Sequence, residues 1–379
     1  MPKRDGKKDV GAVMHETRIS ATVATRHLLL ALMLAPLLCF PSLRAEATPA
    51  KSPVTARDQS GRVVTLPAFP DTIATIPMPL APLLLTLQLD DPKLVAMHPE
   101  SRTAIEAGAL RWLFPESRTL PTDIVGRGFM PNVEALLTLG PELVVQWGGR
   151  GDDLLDPLER AGLRTAAVLY RGREDDITGW LELLGTLTGS TTRAQELLEL
   201  RQAVRHTVET AVASISAPPP RVLYLFRATG GLQAGGQDSY MHYAIELAGG
   251  INVAASMGST RPVSVEQVLV WNPDIILLNS FEAGLTPARI YQDPLLSLTP
   301  AARLRAVHTM PIGGYRWDPP SHESPLAWLW LTQRFWNKQV PIDYRSEART
   351  AAEIIYGDRL SEKALRILMG PFGGREAPR

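Results

Sequence analysis

Residues 192–216 read TRAQELLELRQAVRHTVETAVASIS, and the reading of this stretch decides the fold. It holds no Gly or Pro and consists mostly of good helix formers. Thr192, followed three residues later by Gln195, has the form of a capping box. Ala217-Pro218-Pro219-Pro220 ends any helix abruptly, because proline cannot continue one. The spacing predicts a single rod of roughly 36 Å, the width of a small domain. Leu197, Leu200, Val204, Val208, Ala211 and Ile215 recur three and four apart, so one face of the rod is built to be covered.

Outward from the rod, both flanks alternate strands with helices. On the N-terminal side Val63–Leu66 reads as a small edge strand, and residues 72–76, 94–97, 143–147 and 165–170 read as buried strands. Helices are expected over a Pro/Leu-rich segment before residue 94, over 132–139 and over 152–162. On the C-terminal side a strand at 221–226 precedes a helix at 240–248 closed by Gly249-Gly250. The two flanks also share a segment. Residues 132–145 (NVEALLTLGPELVV) and 264–277 (SVEQVLVWNPDIIL) align at Val133/Val265, Glu134/Glu266, Leu137/Leu269 and Pro141/Pro273. Helix caps (Asn132, Ser264), left-handed stops (Gly140, Asn272) and the acid after proline (Glu142, Asp274) correspond as well. An internal repeat with a rod between its copies predicts an α/β protein of two Rossmann-like lobes, mainly parallel in their sheets, joined by one long helix. The expected division is an N-terminal lobe at 53–178, a helical segment at 179–217 and a C-terminal lobe at 218–370.

Composition narrows the class. The chain has 379 residues, 45% apolar and 21% charged, which suits two globular domains. Basic and acidic side chains number 39 each, but residues 1–47 hold seven basic against four acidic, leaving a mildly acidic body. That balance, without a basic run, argues against nucleic acid as a partner. Residues 1–47 have the pattern of a cleavable signal peptide: a basic start, the apolar run LLLALMLAPLLCF at 28–40, and Ala45-Glu46-Ala47. Thirteen apolar residues are too few for a bilayer span, which needs about 20. Cys39, the one cysteine of the chain, lies inside that run behind Pro36-Leu37-Leu38, a context that disfavours a lipid anchor. The exported chain would therefore have no thiol, which removes disulfides, zinc–thiolate sites and cysteine nucleophiles. A bacterial periplasm is the expected compartment.

These segments carry a resemblance. PNVEALLTLGPELVV, the helix with its Pro-rich stop, and SVEQVLVWNPDIILL resemble the periplasmic substrate-binding proteins of iron-siderophore and cobalamin ABC importers. The opening VTARDQSGRVVTLPAFPDTIATI and the segment LAGGINVA fit too, so the likeness runs over about residues 54–370. SHESPLAWLW at 321–330 looks like a variant found in members that handle iron complexes, whereas Gln88-Leu89 departs from the Leu-Gly usual after the first helix. The resemblance implies two lobes with limited hinge motion, a ligand held between them, no catalysis and no cofactor. It further implies a ferric siderophore as cargo, with a corrinoid, haem or small metal chelate as alternatives. The partner it implies is an ABC permease dimer with its ATPase, served by a monomeric binding protein. At this point of each lobe the family carries a glutamate that docks on permease arginines, a role that falls to Glu134 and Glu266.

Ligands of open α/β sheets sit beyond the carboxyl ends of the strands. That rule selects Trp147 and Arg150, Tyr170 and Arg171, Arg227, and Tyr315, Arg316 and Trp317, with Arg127 and Phe129 on a loop that precedes a helix. Arginines beside aromatic faces suit a bulky anionic ligand, since guanidinium pairs with carboxylate or catecholate oxygens and stacks on rings. His98, His242 and His322 are the weak candidates for a metal site. His322-Glu323 lacks the second histidine of a zinc-protease motif, and Gly230-Gly231 through Gly235-Gly236 lacks the Gly-Lys-Ser/Thr of a phosphate loop. Trp328, Trp330 and Trp336 read as core. A two-lobed enzyme is the rival class, and no nucleophile–base pair supports it.

Overall fold

The structure, a computed structural model, describes residues 52–151, 154–336 and 339–372. The expected signal peptide at 1–47, with Cys39, lies outside the described residues. The first element is an antiparallel hairpin, β1 (Val54–Arg57) and β2 (Val63–Leu66). Asp58 closes its turn by accepting the amides of Ser60 and Arg62, and the same carboxylate takes the amide of Ala167, which pins the hairpin to the neighbouring sheet.

That sheet is built from β3 (Ile73–Thr75), α1 (Leu80–Leu87), β4 (Leu94–Met97), α2 (Pro99–Ala107), α3 (Leu110–Leu113), α4 (Val133–Leu139), β5 (Leu143–Trp147), α5 (Asp156–Arg160) and β6 (Thr165–Val168). Its four strands are all parallel, in the order β4-β3-β5-β6. α6 (Glu174–Thr188) and α7 (Thr191–Ala213) follow. The second sheet comes from β7 (Arg221–Arg227), β8 (Leu232–Ala234), α8 (Tyr240–Leu247), β9 (Ile251–Asn252), β10 (Arg261–Val263), α9 (Val265–Trp271), β11 (Ile275–Leu278), α10 (Pro287–Gln292), α11 (Pro300–Arg303) and β12 (Val307–Thr309). Strand order is β10-β8-β7-β11-β12, with β9 beside β7; β8 pairs antiparallel with both β7 and β10, and the other pairs are parallel. Three helices end the described chain: α12 (Ser324–Trp336), α13 (Tyr344–Tyr356) and α14 (Glu362–Met369).

The rod is present and its predicted face is buried, from Leu197 through Leu200, Val204 and Val208 to Ala211. Its ends differ from the expectation. α7 starts at Thr191 behind Ser190, which makes no side-chain cap bond, and Gln195 bonds forward to Glu199 instead of closing a capping box. It stops at Ala213, before the prolines, where the Ser214 hydroxyl donates to the Ala211 carbonyl. The helix expected over 152–162 shortens to α5, and the strand expected over 165–170 ends at Val168, leaving Tyr170 in the following loop.

The internal repeat is structural. Asn132 caps α4 and Ser264 caps α9, and both helices stop at a left-handed residue, Gly140 (φ 63°) and Asn272 (φ 45°). Glu142 accepts the amide of Asp71 and Asp274 accepts the amide of Arg221, so each acid ties its strand to the entry of the next one. The sequence reading placed residues 344–369 in the C-terminal lobe, but α13 packs on α7 and α14 on α3. α13 packs on α12 as well, and Arg359 binds the carbonyls of Leu89 and Leu113, so the last helices touch elements of both flanks of the rod.

One apolar core runs from Ile73 and Val145, through the buried face of α7, to Val222 and Leu277 of the second sheet. Trp328, Trp330 and Trp336 lie in it, as expected. A continuous helix inside a shared core resists bending, since any rotation of the lobes must break close packing. Among the described residues, no helix is long and apolar enough to cross a membrane.

Candidate ligand cleft

Gln146 organises the first wall. Its side chain is fully buried; its amide donates to the Phe129 carbonyl (3.0 Å) and its oxygen accepts the Trp147 amide (2.7 Å). Phe129 is thereby held at φ 68°, a left-handed conformation that costs a non-glycine residue on the order of 1 kcal/mol. Its ring stands 5.3 Å from His98 and 6.2 Å from Trp147, and Trp147 lies 6.2 Å from Tyr170. The Arg150 guanidinium caps the group, 5.0 Å from the Trp147 ring and 5.4 Å from Phe129. Tyr170 exposes 37% of its surface, yet burial of its hydroxyl pushes that phenol up to about 12.

The second wall repeats the pattern. Phe226 and Phe281 pack with ring centroids 5.3 Å apart and planes tilted by 60°, and the Arg227 guanidinium sits 4.6 Å from Phe281 and 5.2 Å from Phe226. Arg316 covers Phe281 at 5.3 Å and reaches across to Glu100 on α2 at 3.3 Å. A bulge in β7 between Leu225 and Arg227 breaks strand alternation, so Phe226 and Arg227 are both half-buried here. Behind them Asp318 takes the Tyr224 hydroxyl (3.0 Å) and the Ser280 hydroxyl (2.6 Å), fixing the loop of Arg316 to the ends of β7 and β11.

The structure therefore brings together Phe129, Trp147, Arg150 and Tyr170 on one side, and Arg227 and Arg316 on the other. Other predicted positions fall elsewhere. Tyr315 and Trp317 are buried at 2% and 0% exposure, and the Trp317 indole donates to Glu323, so both serve the core. Arg127 and Arg171 are exposed, and Arg171 is held through its amide, which donates to Asp176. The histidines do not converge. His98 caps α2 with its Nδ1, His242 lies 3.5 Å from the Asn252 side chain, and His322 is buried against Tyr356. Among the described residues no group of three His, Cys, Asp or Glu could hold a metal ion.

Sequence reasoning missed Phe226, Phe281 and Glu100. Phe281 lies three residues beyond the end of β11, within reach of the rule that selected the others. Phe226 was hidden by the bulge, and Glu100 by its position in the first turn of a helix, where a carboxylate needs no further reason. Glu134 and Glu266, on α4 and α9, are both exposed, and a groove of about 470 Å³ beside Glu134 is lined by Asp123, Asn132 and Thr138.

Residues 122–312 match the family model described as periplasmic binding protein. The chain belongs to that family. This periplasmic binding protein is similar to the molybdate-binding protein MolA of Haemophilus influenzae, 26% identical over 223 residues, 53% of this chain and 63% of the relative. It is similar also to a cobalamin-binding protein of Halobacterium salinarum, 27% identical over 242 residues, 62% of each chain. It thus spans less than two thirds of the length of these curated relatives. Among solved structures, a periplasmic solute binding protein from Veillonella parvula superposes with a TM-score of 0.74 at 27% identity, over 83% of this chain and 96% of the other. The two-lobed α/β fold is that of the family.

Proposed function

We propose that the protein is an exported substrate-binding protein of an ABC importer, and that it captures an anionic metal complex between its lobes. A ferric siderophore is the first choice of cargo. What carries this reading is the placing of Arg150, Arg227 and Arg316, each over an aromatic ring, at or beyond the carboxyl ends of strands in both sheets. Guanidinium groups seated on rings offer charge and a flat apolar surface together, which is what a catecholate or carboxylate chelate presents. The protein would act as a monomer, free of cofactor, and return its cargo unchanged to a permease dimer driven by its ATPase. Glu134 and Glu266, one per lobe in the same register of the repeat, would dock on permease arginines.

A second reading is a smaller oxyanion such as molybdate, favoured by the similarity to MolA. Protein purified from its native periplasm distinguishes the two by metal content and absorbance. An iron complex gives stoichiometric iron with a visible charge-transfer band, and molybdate gives molybdenum without colour. Turnover of the bound molecule would contradict both.

A further inference from the structure

We infer that Glu282 is the positioning residue of the second cleft wall: its carboxylate, bound to the two backbone N–H groups that follow Arg227, holds that guanidinium on the Phe281 ring. Glu282 is half-buried in the loop after β11, next to Phe281. Oε2 accepts the Ala228 amide at 2.9 Å, and Oε1 accepts the Thr229 amide at 2.8 Å. The Asn279 side-chain amide is a third donor, 3.0 Å from Oε2. All three donors are N–H groups, so the carboxylate accepts on both oxygens. One side chain thereby ties the end of β7 to the end of β11.

Asn279, only 1% exposed, completes the tie. Its side-chain amide donates to the Phe226 carbonyl at 3.0 Å, and its oxygen accepts the amides of Phe281 (3.0 Å) and Glu282 (2.8 Å). Ala228 is held at both ends, since Arg289 Nε donates to its carbonyl at 2.9 Å. The backbones of Phe226, Arg227 and Phe281 are thus fixed relative to one another, and the guanidinium lies 4.6 Å from the Phe281 ring. Gln146 does the corresponding work for Phe129 in the first wall.

The chain beyond Thr229 is permissive. Gly230 and Gly231 have φ of 73° and 127°, and a Cβ on either would meet nothing within 4 Å. An exposed Gly-Gly turn loses more backbone freedom on ordering than any other pair, so Arg227 would follow the turn without the Glu282 bonds. Charge alone gives the opposite sign. An acid beside an anion site repels the ligand, and removing it should tighten binding. The N–H bonds make this acid a support instead, and its effect on affinity rests on the reading of Arg227 as a cleft residue.

Two variants separate charge from reach. Glu282→Gln keeps the length and loses the charge, whereas Glu282→Asp keeps the charge and draws the carboxylate back by one methylene; either carries the test should the other not fold. In the ligand-free protein both should raise amide exchange at Ala228 and Thr229 about tenfold. The Arg227 Nε–H signal should lose order in parallel while that of Arg150 keeps it. With an iron(III) tris-catecholate as probe, both should weaken binding about tenfold, within the loss expected for Arg227→Ala. Neither should weaken it further once Arg227 is replaced by alanine, whereas each should add its full loss to Arg150→Ala, because Glu282 acts through Arg227. Unchanged Arg227 order in the variants overturns the proposal, with or without a bound chelate. So does tighter binding by E282Q beside parent-like binding by E282D, the pattern of plain repulsion. Losses that add equally to both arginine variants, the pattern of general damage, overturn it too. A parent that does not bind the chelate contradicts the ligand reading and leaves the ligand-free order of Arg227 to decide.

Discussion

Glu100 and Arg316 form an ion pair across the cleft, carboxylate to guanidinium at 3.3 Å, with the arginine side chain 11% exposed and the glutamate 54%. If Arg316 contacts the cargo as proposed, an anionic ligand would compete for the guanidinium with this carboxylate. Neutralising it by Glu100→Gln should therefore tighten binding of an iron(III) tris-catecholate, by at most about fivefold given the exposure of the pair. Titration at low and high salt checks this, because the gain should shrink as salt screens the pair. Weaker binding in the variant would place Glu100 among the ligand contacts instead.

Arg150→Ala, Arg227→Ala and Arg316→Ala should each weaken the same complex roughly ten- to a hundredfold, the range for losing one charge-assisted contact. Arg171→Ala should change little, because the described contacts of Arg171 place it outside the aromatic group. Isothermal titration of the four variants separates them. Equal, small effects throughout would move the ligand away from this cleft.

Glu134→Arg with Glu266→Arg should abolish uptake in vesicles that carry the cognate importer while leaving ligand affinity and Tm nearly unchanged. Each glutamate is exposed in the first turn of its helix, where its dipole contribution is only about 0.3–1 kcal/mol. Normal transport would remove the docking role. Lost ligand binding would bring these residues into the cleft.

His308, on β12 beside Trp330, has its pKa lowered to about 4 by burial and by Arg334. Above pH 6.5 the imidazole is neutral in both folded and unfolded chains and contributes nothing to the pH dependence. Below it the unfolded chain takes a proton that the folded one refuses, so stability is lost down to about pH 4. His308→Gln should remove about 2 kcal/mol of the stability difference between pH 7.5 and 5. Urea midpoints at the two pH values measure it; an unchanged difference would show that His308 is free to protonate in the fold.

Much of the fold was legible in the chain. The rod announced itself by an unbroken apolar stripe, and the repeat by matched caps and stops that the structure reproduces at Asn132, Ser264, Gly140 and Asn272. The strand-end rule picked Trp147, Arg150, Tyr170, Arg227 and Arg316, which the structure gathers into two aromatic and arginine groups, since the rule depends only on where strands stop. It failed for Tyr315 and Trp317, which flank Arg316 but turn into the core. Loop direction is set by Glu323 from nine or fewer residues away, through hydrogen bonds that no periodicity announces. Arg201 was legible but unread: it falls four residues after Leu197 and three before Val204, inside the buried stripe, and pairs there with Glu174 at 2.5 Å.

The most direct measurement is equilibrium titration of the purified protein with an iron(III) tris-catecholate and, separately, with molybdate. Quenching of Trp147 reports occupancy, and mass spectrometry examines the ligand after release. The account predicts saturable binding of one anionic species at a single site, abolished when Arg150 and Arg227 are both replaced by alanine, with the ligand recovered unaltered. Binding that survives the double replacement, or a ligand returned chemically changed, would contradict it.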